Sequence, residues 1–390
     1  MPNCLGGEFR IKKTSPLIPV LLATFTSGFA FGIVLPVASV ILEGRGVATP
    51  LIGLAATVMF VGWAMGAPFA GRMIELYGIR RTLIAGISTT GLCMIAHGFM
   101  VSLPVWLLLR FLIGSASASM FTACETLINR ISTDNNRGKN LGLYAVSFSA
   151  SLIVGPVGLW LLRYGHWLPF VSAGLFCCGV AAGIYHFIPE FCEPAPAHSV
   201  AIAFARRISV SLIAMLMAGF MEGALISLIP LYALRRGFAE AQAGILLLAF
   251  MLGHGGLPLL IGVLADRIGL RKGLLLSYGL GSVSFLLLVF LPAHLWIAAV
   301  LICGGAAVGA LYPLAVGLLA SALAPAELPR GNALTMFCYG IGSIAGPFVP
   351  SLIMHRTVPE SLFAVVALLY GIVFLGTGWP RQTGDRPANH

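Results

Sequence analysis

The sequence predicts an all-α membrane protein: twelve transmembrane helices arranged as two parallel six-helix repeats. Three observations predict it. First, the 390 residues are 58% hydrophobic and only 9% charged, with a mean hydropathy of +0.97. Soluble domains carry about 25% charged residues, and single soluble interiors stop growing near about 250–300 residues. Second, the apolar residues fall into twelve runs, each suited to the roughly 20 residues a membrane helix needs. Third, a set of glycines and charges recurs at a constant offset of 191 residues.

The same composition excludes a disordered chain, a coiled coil, a secreted disulfide scaffold and an ordinary cytosolic enzyme. A net charge of +10 does not require nucleic acid, because Lys and Arg collect on the cytoplasmic loops of polytopic proteins. Six of the eight cysteines (Cys93, Cys124, Cys177, Cys178, Cys303 and Cys338) lie in apolar runs. They and the other two, Cys4 and Cys192, read as small packing residues rather than as disulfides.

Taken in order, a short basic segment with Arg10, Lys12 and Lys13 precedes a first run over about 16–42. That run exceeds the apolar region of a signal peptide and is expected to be retained. Further runs cover 50–70, 82–101, 104–125, 140–162, 168–188, 208–232, 241–261, 273–292, 295–318, 332–353 and 358–379. Between runs six and seven, Pro189 to Arg207 is polar and Pro-rich, as a linker would be. The expected division is therefore 1–188, a cytoplasmic linker 189–207, and 208–390. With the N-terminus inside, seventeen of the 23 Lys and Arg residues lie on the cytoplasmic side. Five (Arg45, Arg163, Arg235, Arg236 and Arg356) lie opposite, and Arg110 is inside a run. Both termini are thus expected in the cytoplasm.

The 191-residue offset pairs Gly28, Phe29 and Gly32 with Gly219, Phe220 and Gly223, and Gly53 with Gly244. It pairs Gly114 with Gly305, and Gly155-Pro156 with Gly346-Pro347. It also pairs two loops, GRMIELYGIRR and GVLADRIGLRK, through Gly71, Glu75, Gly78, Arg80 and Arg81 and their mates Gly262, Asp266, Gly269, Arg271 and Lys272. Five registered sites in order are a duplication. Glycines at the loop ends permit a sharp turn, and the carboxylate is placed to satisfy a neighbouring helix N-terminus.

These loops resemble the G-x-L-a-D-r-x-G-r-k signature of the major facilitator superfamily, and the twelve-run, six-plus-six plan resembles it over nearly the whole chain. The first copy departs from the signature at Met73 and Glu75. More loosely, the chain resembles the YcaD-type branch of that family. The resemblance implies a secondary transporter of a bacterial inner membrane, with the loops as a conformational latch and runs one, four, seven and ten lining a central cavity. Arg110 and Gly114 are similar to the family's R-x-x-q-G motif, with Ile113 where Gln is common, which implies a role for Arg110 in proton transfer or substrate binding. Gly155-Pro156 with Gly158 resembles part of the antiporter motif, which favours export, although Gly-Pro pairs also simply kink helices.

Within the runs, charged side chains are costly and usually face a cavity or a partner. Glu222, the one charge between Ile208 and Leu234, is a candidate proton carrier, since a carboxyl group in apolar surroundings can be neutralised by a proton. Arg110 lies at a similar depth in the other half, so the two are expected to approach when the outer side closes. Glu125 is fifteen residues beyond Arg110, about 22 Å along the helix. It is expected either to face the cavity or to meet Arg130 at the membrane surface. His254 is a further candidate, because histidine changes charge near neutral pH.

No H-E-x-x-H, Walker or G-x-S-x-G pattern is found, nor cysteines at metal spacing. The chain is therefore expected not to be an enzyme and to need no cofactor or metal. It is expected to move a small molecule across the bilayer as a monomer, driven by protons, by export of a small amphipathic organic molecule. Uptake of a metabolite or metal chelate, or lipid flipping, are the alternatives.

Overall fold

The computed structural model describes residues 17–132, 136–188, 206–291, 296–324 and 327–378. The basic N-terminal segment, residues 189–205 of the predicted linker, Cys4, Cys192, Arg381 and Arg386 lie outside them. Every described element is helical: α1 (Leu17–Gly44), α2 (Thr49–Tyr77), α3 (Ile79–Phe99), α4 (Leu103–Ile131), α5 (Arg137–Val154), α6 (Val157–Leu161), α7 (Leu168–Phe187), α8 (Ser209–Arg235), α9 (Glu240–Gly256), α10 (Pro258–Ile268), α11 (Leu270–Phe290), α12 (Trp296–Ala322), α13 (Leu328–Arg356) and α14 (Ser361–Gly378). Eleven continuous or kinked spans are long and apolar enough to cross a membrane, and α14 supplies a shorter apolar helix where the twelfth run lies.

Two runs are broken. The fifth divides into α5 and α6 at Gly155-Pro156, then tightens to a 3₁₀ turn at Leu162–Tyr164. The eighth divides into α9 and α10 at Leu257, before Pro258, whose ring disfavours helix in the residue preceding it. At the mate Gly346-Pro347 the helix is continuous: α13 runs through Pro347 and Pro350.

The duplication is written into the backbone. Positive φ is found at Gly46 (71°) and its mate Gly237 (82°), and at Gly78 (83°) and its mate Gly269 (97°). Side chains rarely adopt this conformation, so glycine is required for α3 and α11 to start directly after α2 and α10. The paired glycines inside helices are contact points. Gly62 and Gly114 bring α2 and α4 together, Gly62 against Phe111 and Gly114 against Met59. Gly253 and Gly305 do the same for α9 and α12, against Ile302 and Phe250. Lipid offers no hydrophobic gain for helix association, so close packing over small residues supplies the attraction. A methyl group on Gly114 would fall on the Met59 carbonyl oxygen, whereas one on Gly183 would meet nothing. Gly114→Val is therefore expected to destabilise the protein by about 1–3 kcal/mol. Gly183→Ala should melt like the wild type in a detergent thermal-shift assay.

α1 and α8 are the most enclosed spans, 89% and 72% buried over their apolar windows. They meet near the face that carries the α1–α2 and α8–α9 turns, called here the turn face. Next to them α2 packs on α13, and α5 and α6 pack on α9. Across this seam Thr57 Oγ1 donates to the Ile344 carbonyl (2.9 Å) and Trp160 Nε1 to the Ala241 carbonyl (2.9 Å). At its edge Arg235 of α8 grips Glu43 of α1 with two bonds, Nε–Oε1 at 2.8 Å and Nη2–Oε2 at 3.2 Å. Arg235 also donates to Thr49 Oγ1 (2.6 Å) and the Met354 carbonyl (3.4 Å). These bonds between the two halves all belong to the turn-face side of the seam.

Candidate functional site

The unclosed part of the seam holds a polar and aromatic cluster. Its centre is Glu222, next to Gly223 and about one turn after Gly219, the glycines that seat α8 against α13. Tyr339 of α13 donates its hydroxyl to Glu222 Oε2 at 2.8 Å. His254 Nε2, at the end of α9, stands 3.8 Å from the same oxygen. Neither Glu222 nor His254 is sealed off: their side chains are 17% and 14% exposed. The Tyr312 ring of α12 stands edge-on to Tyr339, centroids 6.1 Å apart.

Tyr312 links this cluster to the first half, being within electrostatic reach of both Glu222 and Glu125. Glu125 of α4 also lies within reach of Tyr144 of α5, whose hydroxyl is buried without a hydrogen-bond partner. Both Glu125 and Tyr312 are exposed to solvent, yet each has protein on most sides at longer range. That combination describes the wall of a deep cavity rather than an outer surface. Phe121 stacks edge-on with Tyr144 (6.3 Å) and with Phe148 (5.0 Å).

Three of the four candidate side chains, Glu222, His254 and Glu125, thus line one region. The fourth does not. Arg110 is fully buried, and its Nη2 donates to the Val34 carbonyl of α1 at 3.3 Å. It lies within electrostatic reach of His97, whose ring packs against Trp106 (5.2 Å) and Phe170 (5.5 Å). The turn face is closed, yet Arg110 and Glu222 form no pair; the charges that meet across the halves there are Glu43 and Arg235. Along their helices Arg110 lies about 10 Å from the turn-face start of α4 and Glu222 about 20 Å from the turn-face end of α8, so the equal depth expected for them does not hold, and Arg110 also turns into its own half. Nor does Glu125 pair with Arg130; it faces the cavity instead.

The repeated loops are also placed differently from the expectation. Glu75 and Asp266 are exposed, and neither bonds to any described residue. The helices that follow, α3 and α11, start at Gly78 and Gly269 without a side-chain cap. The basic residues instead reach the last helix of their own half. The Arg80 guanidinium lies over the Tyr185 ring (5.4 Å), and its mate Arg271 donates to the Thr377 carbonyl (3.3 Å). Gly71 is buried in α2 and Gly262 partly buried in α10, while Arg81 and Lys272 are exposed.

Sequence reasoning missed Tyr339, Tyr312 and Tyr144, because tyrosines in apolar runs resemble ordinary packing residues. The repeat held the signal. Tyr312 and Tyr339 are the mates of Phe121 and Phe148, each 191 residues on, so the same aromatic pair occurs in both halves and carries hydroxyls in one.

The family model for the Major Facilitator Superfamily matches residues 20–238 and again 211–389. An uncharacterized MFS-type transporter of Bacillus subtilis, YfkF, is 30% identical over 367 residues, covering 92% of this chain and 93% of its own. The uncharacterized MFS-type transporter YcaD of Salmonella newport is 25% identical, with 93% and 95% covered. Among solved structures, a crystal structure of a mutant nucleoside transporter NupG superposes with a TM-score of 0.77. It is 10% identical and covers 93% of this chain and 98% of that one, a likeness of fold.

Proposed function

This chain belongs to the Major Facilitator Superfamily, and from that membership we propose that it exports a small amphipathic organic molecule in exchange for protons. The observation that carries the proposal is Glu222, held on the cavity wall by the Tyr339 hydroxyl with His254 at 3.8 Å. A carboxyl group and an imidazole side by side can take up, share and release a proton. In a low-dielectric span a proton that neutralises Glu222 changes the cost of exposing or enclosing it, which ties protonation to conformation.

In this reading the halves 1–188 and 208–390 rock about the 189–207 connector, and both chain ends lie in the cytoplasm, as the Lys and Arg distribution favours. The structure then corresponds to a state closed outside by Glu43–Arg235 and facing inward. The Glu75 and Asp266 loops are the latch of the opposite state, which explains why their carboxylates are exposed here. The protein acts as a monomer in the inner membrane. Export is favoured over uptake by the break at Gly155-Pro156, through its resemblance to the antiporter motif. One charge crossing 100 mV supplies about 2.3 kcal/mol to drive it.

The test is proton movement in inside-out vesicles presented with organic cations, zwitterions and neutral metabolites. Export by antiport predicts that one class of compound triggers proton release from the lumen. Compound-driven proton movement in the opposite sense would identify uptake and overturn the proposal.

A further inference from the structure

Two carboxylates line the cavity, and their surroundings differ. Glu222 already accepts the Tyr339 hydroxyl and has His254 beside it. Among the described residues the Glu125 carboxylate accepts no hydrogen bond, forms no ion pair and has no basic group acting on it. The nearest bond in its neighbourhood, from Asn129 Nδ2, goes to the Glu125 backbone carbonyl instead (2.9 Å). The Glu125 side chain is open to solvent yet has protein on most sides at longer range, a setting in which a cation is attracted more strongly than in bulk water. Beside it the Tyr144 hydroxyl is buried and unpartnered.

The walls around this pair of acids are aromatic. Phe121, Phe148 and Tyr144 belong to the first half, and Tyr312 and Tyr339 to the second. Ring faces attract cations as well as apolar groups, and the attraction strengthens where water is excluded. Among the described residues no three His, Cys, Asp or Glu side chains converge as a bare metal ion would require. A soft, bulky cation fits this chemistry better than a hard one.

Resting on the transport reading above, we infer that the cavity takes an organic cation bearing aromatic or bulky apolar groups, and that Glu125 anchors its charge while Glu222 carries the proton. Dividing the tasks in this way explains why only one acid is hydrogen-bonded in advance. The proton site is built into the protein, and the substrate completes the other.

The experiment is equilibrium binding of tetraphenylphosphonium to the purified full-length protein. Saturable binding is expected in the wild type, weakened about tenfold or more in Glu125→Gln, equivalent to about 1.4 kcal/mol. Glu222→Gln should bind within about threefold of wild type, and Phe121→Leu should bind severalfold more weakly. Triphenylphosphine oxide, which is neutral with three phenyl rings, should compete poorly. Equal affinity in wild type and Glu125→Gln, or no saturable binding by protein with an intact thermal transition, overturns the inference. Binding that never drives proton movement would leave this inference standing and remove the coupling reading. Proton release triggered only by neutral or anionic compounds would do the reverse.

Discussion

Glu222→Gln is expected to abolish substrate-driven proton release while the protein still folds and still binds substrate. Glutamine has nearly the shape of glutamate, and its amide oxygen can accept the Tyr339 hydroxyl at the same position. What it cannot do is lose and regain a proton. In inside-out vesicles the compound that acidifies the medium with wild-type protein should give only the background drift with the variant. Downhill exchange of labelled substrate should continue, because alternation no longer waits on protonation at this site. Tyr339→Phe is the companion variant: it keeps the acid and removes its one hydroxyl donor. It should retain coupled release but alter its pH profile, which a merely structural residue would not do. If Glu222→Gln pumps protons like the wild type, the proton travels elsewhere, and Glu125 becomes the candidate.

The second large effect concerns Glu43 and Arg235. Each is about a quarter exposed, so the pair is worth less than a buried one, but it is bidentate and Arg235 is held further by Thr49 and the Met354 carbonyl. Arg235→Gln should cost the closed turn face about 1 kcal/mol or more, a roughly fivefold shift in population. Spin labels at Ala48 and Ala239, mates in the two turns, would report it as growth of a longer-distance component. Exchanging the charges, with Glu43→Arg and Arg235→Glu together, should recover part of the short-distance population. The recovery is partial because the Met354 carbonyl would then face a carboxylate. Distances unchanged in Arg235→Gln would mean that the apolar seam alone keeps the turn face shut.

Much of this fold could be read in advance because membrane helices leave plain marks. An apolar run must be long enough to span, and a helix crossing needs a small residue at the contact. Hence the twelve runs, and Gly114 and Gly305 at equivalent crossings, are visible in the residue order. The site was only partly visible. Glu222, Glu125 and His254 stood out because charge is rare in these segments. Tyr144, Tyr312 and Tyr339 did not, since a ring in an apolar run is unremarkable until its neighbours across the helix are known. Arg110 was conspicuous for the same reason as Glu222, yet it points into its own half. Glu43 and Arg235 looked like ordinary charges at the membrane edge, because docking of the halves is what brings residues 192 positions apart into contact. Leu257 before Pro258 was the missed break, hidden by an otherwise continuous apolar run.

The Glu43–Arg235 contact has a further consequence, for how the molecule chooses its own parts during assembly. Two copies of one repeat offer nearly the same docking surface twice, so like halves of neighbouring chains compete with the intended partner. Position 43 corresponds to Leu234, and Arg235 to Gly44, so at this pair of sites the first half offers an acid and the second a base. Two first halves would place acid near acid, and two second halves base near base, each costing free energy as the surfaces approach. Only a first half against a second half neutralises both. A single charged pair thereby gives an internally duplicated chain an electrostatic rule for recognising itself.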